Sequence, residues 1–226
     1  MTAALPTSPV TEGVRSLEVR WIFPGQPGIA VAGWFGRFPA QTESREDTYL
    51  LKPRLPGLSV KVREGRALEV KLYQGSPGTL EVAGRARGRL ESWRKWSFPS
   101  GPPSQECNDP PGWSPVAKNR RTSQFCLIGG RIVAAAPVPA TVPRCAVELT
   151  KIRAAGQAWW SLGFEATGPA GLLRSALETT AALVFTQALP QSVAPGTDNS
   201  MSYAEWLGRQ PGPDNSPPPK QRPCHA

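Results

Sequence analysis

Charged and apolar residues alternate through successive strand-length segments of this chain, and the charged positions carry both signs. The run 58–72 shows this most plainly. A strand turns successive side chains to opposite faces. Val60 and Val62 therefore share one face, and Lys61 and Arg63 the other. Past a turn at Glu64 and Gly65, Leu68, Val70 and Leu72 lie opposite Glu69 and Lys71. The hairpin so formed has one oily face and one face with three cations and one anion. Its oily face must be buried in a core. Its charged face suits a polyanion brought in by metal ions.

The alternation recurs. In 16–23, Leu17, Val19 and Trp21 oppose Ser16, Glu18 and Arg20, and Pro24 and Gly25 stop the strand. A strand over 47–52 stops at Pro53. The stretch 79–98 predicts one long or bent strand, with bulges at Gly84 and Gly88. Residues 113–121 lead into 125–128, and 145–152 and 158–166 form a hairpin. Residues 29–38 predict a short helix or turn packed on the barrel. The period then changes. From Pro169 to Leu189, Leu172, Leu173, Ala176, Leu177, Thr180, Leu183 and Val184 recur at helical spacing, with Pro169 in the first turn. Residues 202–207 predict a second, short helix. Seven or eight strands and one late helix predict a mainly β (α+β) fold. Its form is an antiparallel, eight-stranded, closed or nearly closed barrel with the helix packed outside.

Most of the 26 prolines lie in the first dozen residues, in 99–115, in 137–143 and after 190. The expected organisation is a disordered tail over 1–14, one domain over 15–190, and a Pro-rich, mostly disordered tail over 191–226. A formal net charge of +9 points to anionic partners, or simply to solubility. The four cysteines, Cys107, Cys126, Cys145 and Cys224, form no CxxC pair, and His225 is the only histidine. A structural zinc site needs four close Cys or His ligands, so zinc is not expected. Without an internal histidine there is no Ser-His-Asp triad and no Cys-His pair. HExxH and the phosphate loop GxxxxGK[ST] are both absent. Carboxylates, cations and metal must carry any chemistry. The N-terminus lacks a signal-peptide pattern and no run is long enough for a membrane span, so a cytoplasmic protein with free thiols and no membrane partner is expected.

The order of charged motifs resembles the CYTH family, the triphosphate tunnel metalloenzymes. Glu18-Val-Arg20 opens the chain. Tyr49 and Leu50 precede Lys61-Val-Arg63 and Glu69-Val-Lys71. Glu91 and Arg94 follow, then Lys118 with Arg120 and Arg121, then Glu148 and Glu165. The resemblance implies an eight-stranded tunnel whose inner wall holds a triphosphate. Carried over, Arg20, Lys61, Arg63, Lys71, Arg94, Lys118, Arg120 and Arg121 are substrate ligands, with Lys61, Arg63 and Lys71 catalytic. Glu18, Glu69, Glu148 and Glu165 hold Mg²⁺ or Mn²⁺, one ion or two, or orient the basic residues. The chain departs from the pattern twice. Ser16 stands where the family opens with an acid, and Gly163 stands two residues before Glu165, where another acid is expected.

The residues allow a direct account. A triphosphate carries about four negative charges, which fixed Lys and Arg neutralise as point charges and bidentate forks. Metal polarises the terminal phosphoryl group and orients water. Metal-dependent binding and hydrolysis of a triphosphate leads. A catalytically degenerate polyphosphate binder is the alternative left by Ser16 and Gly163. A nucleic-acid-binding barrel ranks next, with Arg85, Arg87 and Arg89 as its basic strip and tryptophans for stacking. A scaffold docking through Pro217–Pro219 is a further reading. Against all of them stands the solvated face of an ordinary antiparallel sheet.

Overall fold

The computed structural model describes residues 13–51, 55–99, 112–134, 139 and 141–210. Within them the alternating segments form β1 (Val14–Pro24), β2 (Gln41–Leu50), β3 (Leu58–Arg63), β4 (Ala67–Gly75), β5 (Thr79–Val82), β6 (Ala86–Arg89), β7 (Glu91–Pro99), β8 (Trp113–Ile128), β9 (Arg131–Ala134), β10 (Arg144–Ala154) and β11 (Gln157–Thr167). Eight of these close a ring in the order β1, β7, β4, β3, β2, β8, β10, β11. Every pairing is antiparallel. Strand β9 extends β8 as a hairpin, and β5 and β6 form a separate two-stranded ribbon.

The barrel is polar inside and oily outside. Outward apolar side chains of β1, β10 and β11, among them Leu17, Val19, Trp21, Val147, Leu149, Leu162 and Phe164, are buried. They are covered by α1 (Ile29–Gly36), α2 (Leu173–Val184) and the β5–β6 ribbon. Helix α2 presents Leu173, Ala176, Leu177, Thr180, Ala181 and Val184 to this core, a stripe at three- and four-residue spacing. Leu172 and Leu183, grouped with that stripe by their spacing, are exposed at 43% and 42%. Each fully buried large apolar side chain contributes about 1.5–3 kcal/mol. Most of the apolar stabilisation therefore lies between the barrel and its coat. The lumen remains for charge.

The long strand expected over 79–98 is three strands. Gly84 turns the chain at φ +65 between β5 and β6. Gly88 is a close approach rather than a bulge: a Cβ there would lie 2.6 Å from Val19 Cγ2 and 2.8 Å from Trp21 Cζ2. Trp21 Nε1 donates to Arg87 O at 2.9 Å, which anchors the ribbon on β1.

The boundary drawn at 190 also moves. Arg87 N donates to Pro195 O and Met201 N to Arg20 O, so 191–202 runs along the ribbon and β1. Helix α3 (Tyr203–Gly208) follows. Ser202 caps it, its Oγ accepting from Glu205 N at 3.1 Å. Trp206 and Leu207 pack with Ile22, Tyr49, Val116, Ile152 and Ala154. Ile22, Tyr49, Val116 and Ile152 share strand parity with the inward-facing residues. The lumen therefore turns apolar at one end, and α3 lies across it. Among the described residues no helix is long and apolar enough to cross a membrane. Cys107, Cys224, His225 and Pro217–Pro219 lie outside the described residues. Cys126 and Cys145 are buried free thiols.

Candidate functional site: a charged barrel lumen

The inward positions of all eight ring strands converge on one cavity of about 100 Å³. Eight cations line it: Arg20, Arg45, Lys61, Arg63, Lys71, Lys95, Lys118 and Arg120. Five carboxylates face them: Glu18, Glu69, Glu91, Glu148 and Glu165. Asp47 is wholly buried in the wall behind. Tyr49, Trp93, Thr150, Ser202 and Tyr203 complete the lining.

Ion pairs run in a chain around the wall. Lys61 Nζ reaches Asp47 at 2.9 Å and Glu69 at 3.2 Å. Arg63 reaches the other Glu69 oxygen at 3.2 Å. Lys71 Nζ bridges Glu18 at 2.6 Å and Glu165 at 3.5 Å. Glu148 takes Arg20 on one oxygen at 3.3 Å and Arg120 on the other at 2.7 Å. Register makes the bridging possible, since Glu18 is directly opposite both Glu165 on β11 and Glu91 on β7. Burial alone would raise the Glu18 carboxyl, but Lys71 and Arg20 overcome that and hold it below its ordinary value. Burial likewise opposes ionisation of Glu148, and Arg20 and Arg120 bring it down to about 2.

The cavity is graded from an open mouth to a closed end. Side-chain exposure is 32% at Arg63 and 4% at Lys118. At the closed end Lys118 Nζ meets Asp47 at 3.1 Å and donates to Tyr49 Oη. It also sits 4.3 Å from the Tyr203 ring centroid. Arg20 Cζ lies 4.7 Å from the same ring. Burial, then Lys61, push the Lys118 ammonium well below its ordinary value despite Asp47. Burial pushes Lys61 down too. Buried cations with lowered proton affinity are groups whose charge an incoming anion would restore.

Three polar atoms of lining residues are buried and hydrogen-bond to nothing among the described residues: Arg63 Nε, Arg120 Nε and Thr150 Oγ1. Two are donors on fixed cations, which leaves an acceptor wanting.

Ten of the twelve site residues read from the sequence meet in this lumen. Arg94 and Arg121 do not. Trp93 and Lys95 face inward, so Arg94 between them faces outward, its Nε donating to Gly13 O at 3.4 Å. Arg120 faces inward, so Arg121 points out to Ala32 O and the Phe35 ring. Sequence reasoning passed over Arg45, Asp47, Lys95 and Tyr203. Arg45 and Asp47 share the parity of Tyr49, but the residues between and before them are polar too, so alternation does not single them out. Lys95 shares the parity of Trp93 and Glu91. Nothing local to Tyr203 shows that α3 closes the barrel.

Glu18, Glu69, Glu148 and Glu165, the carboxylates expected to hold Mg²⁺ or Mn²⁺, do not fit a divalent cation as arranged. Each is already engaged by an ammonium or guanidinium group. Among the described residues, no three His, Cys, Asp or Glu side chains gather as a metal site.

No family model matches the sequence, and no curated protein matches it. Solved structures align over most of the chain. The PH1819 protein of Pyrococcus horikoshii OT3 is 12% identical at a TM-score of 0.38, covering 84% of this chain and 97% of that one. The Pct1 RNA triphosphatase of S. pombe is 12% identical at 0.38, covering 80% and 81%. At that distance neither alignment assigns a role to any residue here.

Proposed function

We propose that the barrel lumen binds the triphosphate group of a small molecule, inorganic or organic. The observation that supports this most is the enclosed surplus of basic groups, eight lining cations against five lining carboxylates and the buried Asp47 behind them. An isolated surplus of this kind is costly in a low-dielectric enclosure, and an anion offsets it. The mixed signs hold the cations in place while the site is empty. The unpartnered Arg63 Nε and Arg120 Nε supply donors for phosphoryl oxygens. The closed end under α3 favours a terminal phosphoryl group entering end-on over a polymer threading through.

Binding is the function the geometry supports best. Metal-dependent hydrolysis, with Lys61, Arg63 and Lys71 around the phosphoryl group, needs in addition a carboxylate able to hold metal or orient water. The inward carboxylates are all engaged: Asp47 and Glu69 by Lys61, Glu18 and Glu165 by Lys71, Glu148 by Arg20, and Glu91 by Arg89. A nucleic-acid surface on the β6 ribbon has less support, because Arg89 there is bound to Glu91 and Glu205.

Thermal unfolding against tripolyphosphate, ATP, thiamine triphosphate and a single-stranded oligonucleotide tests the reading. A ligand at 100 times its Kd stabilises by about 2.7 kcal/mol. The expected result is a rise in Tm with a triphosphate and none with the oligonucleotide. No rise with any triphosphate would reject the reading. Release of phosphate on incubation with Mn²⁺ would extend it to a phosphohydrolase.

A further inference from the structure

We propose that the barrel captures its triphosphate without a divalent cation, using the Arg20 guanidinium as a built-in substitute. This rests on the triphosphate reading above and goes beyond it in saying what neutralises the ligand.

The first observation is a substitution of space. Strand β11 turns Gly163 and Glu165 inward. Gly163 is directly opposite Arg20 on β1 and directly opposite Glu148 on β10. A side chain at Gly163 would stand between those two. Instead Arg20 reaches across the gap to Glu148 at 3.3 Å, and its Nη1 comes near Ser161 Oγ at 3.4 Å. The position a Cβ on Gly163 would take is 2.9 Å from Arg20 Nη1 and 3.0 Å from its Cζ. The guanidinium thus fills the space that a side chain on Gly163 would need.

The second observation is the state of the remaining carboxylates. A hard divalent cation needs two or three carboxylate oxygens turned toward one point. Here Lys71 Nζ lies between Glu18 and Glu165, at 2.6 and 3.5 Å. Both Glu148 oxygens are held by guanidinium groups. A divalent ion would have to displace an ammonium or a guanidinium group to enter. Ser16 Oγ also donates to Glu18 at 2.6 Å, occupying one more lone pair of that carboxylate.

The third observation is the set of donors awaiting an acceptor. Arg120 on β8 and Thr150 on β10 are directly opposite each other beside Glu148, and Arg120 Nε and Thr150 Oγ1 are buried and unpartnered among the described residues. Phosphoryl oxygens would satisfy them directly. A metal ion supplies neither donors nor the planar fork that Arg20 presents. Neutralising the ligand falls to the protein alone.

The test is a calorimetric titration of the wild-type chain with inorganic tripolyphosphate, once in EDTA and once with Mg²⁺ or Mn²⁺. The expected result is binding in EDTA as tight as with metal or tighter, because metal sequesters the free ligand. Binding that appears only with metal, or that metal tightens by more than about tenfold, overturns the proposal while leaving the triphosphate reading intact. Binding under neither condition overturns both. Arg20→Met, with its fold checked by circular dichroism, is expected to bind at least about tenfold more weakly in EDTA, the worth of one charge-assisted contact. Gly163→Ala, which pushes the guanidinium aside without removing it, is expected to weaken binding in EDTA as well. Unchanged EDTA affinity in both variants would remove Arg20 from the account.

Discussion

Lys118 Nζ lies 3.1 Å from Asp47 Oδ2 at the closed end of the barrel, with side-chain exposures of 4% and 0%. Asp47 is the hub of that end. Lys61 approaches the same oxygen at 2.9 Å, and Arg45 the other oxygen at 3.3 Å. Burial opposes its ionisation, but Lys118, Lys61 and Arg45 together hold it far below the usual carboxylate range. One acid thereby organises three of the cations that face the lumen.

Asp47→Asn leaves those cations without their shared counter-ion. Breaking a buried ion pair from one side costs about 3–5 kcal/mol, and urea unfolding at neutral pH should show a loss of that size. The loss should shrink in alkaline buffer. Burial has already lowered the Lys118 proton affinity, and a neutral Lys118 no longer needs Asp47. A loss that stays constant with pH would show that Lys118 is not the group being compensated.

Stability should fall steeply in acid. The Glu148 carboxyl sits at about 2 in the folded chain against an ordinary 4.5, opposed by burial and lowered by Arg20 and Arg120. A lowered folded-state value contributes stability that is complete above the ordinary value and is lost as pH falls from there through the folded one. For Glu148 the window runs from 4.5 down to about 2, and the contribution is about 3 kcal/mol. Glu18 and Glu69, also lowered, act in the same direction. Tm measured from neutral pH into this window should drop, and the drop should be shallower in Glu148→Gln. Equal slopes would contradict the assignment.

Lys95 lines the lumen and is only partly buried. Lys95→Ala should therefore cost affinity more than stability. About tenfold weaker tripolyphosphate binding is expected, with unfolding free energy within about 0.5 kcal/mol of wild type. Arg94→Ala is the control: Arg94 faces outward, its Nε donating to Gly13 O, so tripolyphosphate affinity should not change. Calorimetry and urea unfolding on the two variants check both statements.

Trp206→Ala tests the closure. Trp206 is 2% exposed and packs against inward-facing apolar residues at the closed end. Truncating such a side chain costs about 3–5 kcal/mol. If α3 were a loosely attached tail, the variant would unfold at the wild-type urea midpoint.

The amino-acid sequence by itself determined which residues share a face. Alternation in 16–23 and 58–72 placed Arg20, Lys61 and Lys71 on the polar side, and helical spacing found α2, whereas Glu148 and Glu165 came only from the order of charged motifs. Both signals arise because one face of each element must leave water. Where that contrast fails, the signal fails. The first half of β2, Gln41–Asp47, is polar on both faces, one looking into the lumen and one into solvent, so Arg45 and Asp47 carried no contrast to read. Only the tertiary structure decided the rest. Ring closure sets which strands are neighbours, and register then sets which charge meets which. That is why Arg20 lies across Gly163, why Lys95 lines the lumen where Arg94 does not, and why α3, far along the chain, closes one end. Period-two alternation assigns a side chain to a face; the position along the barrel and the opposing partner come from hydrogen-bond register between strands distant in sequence.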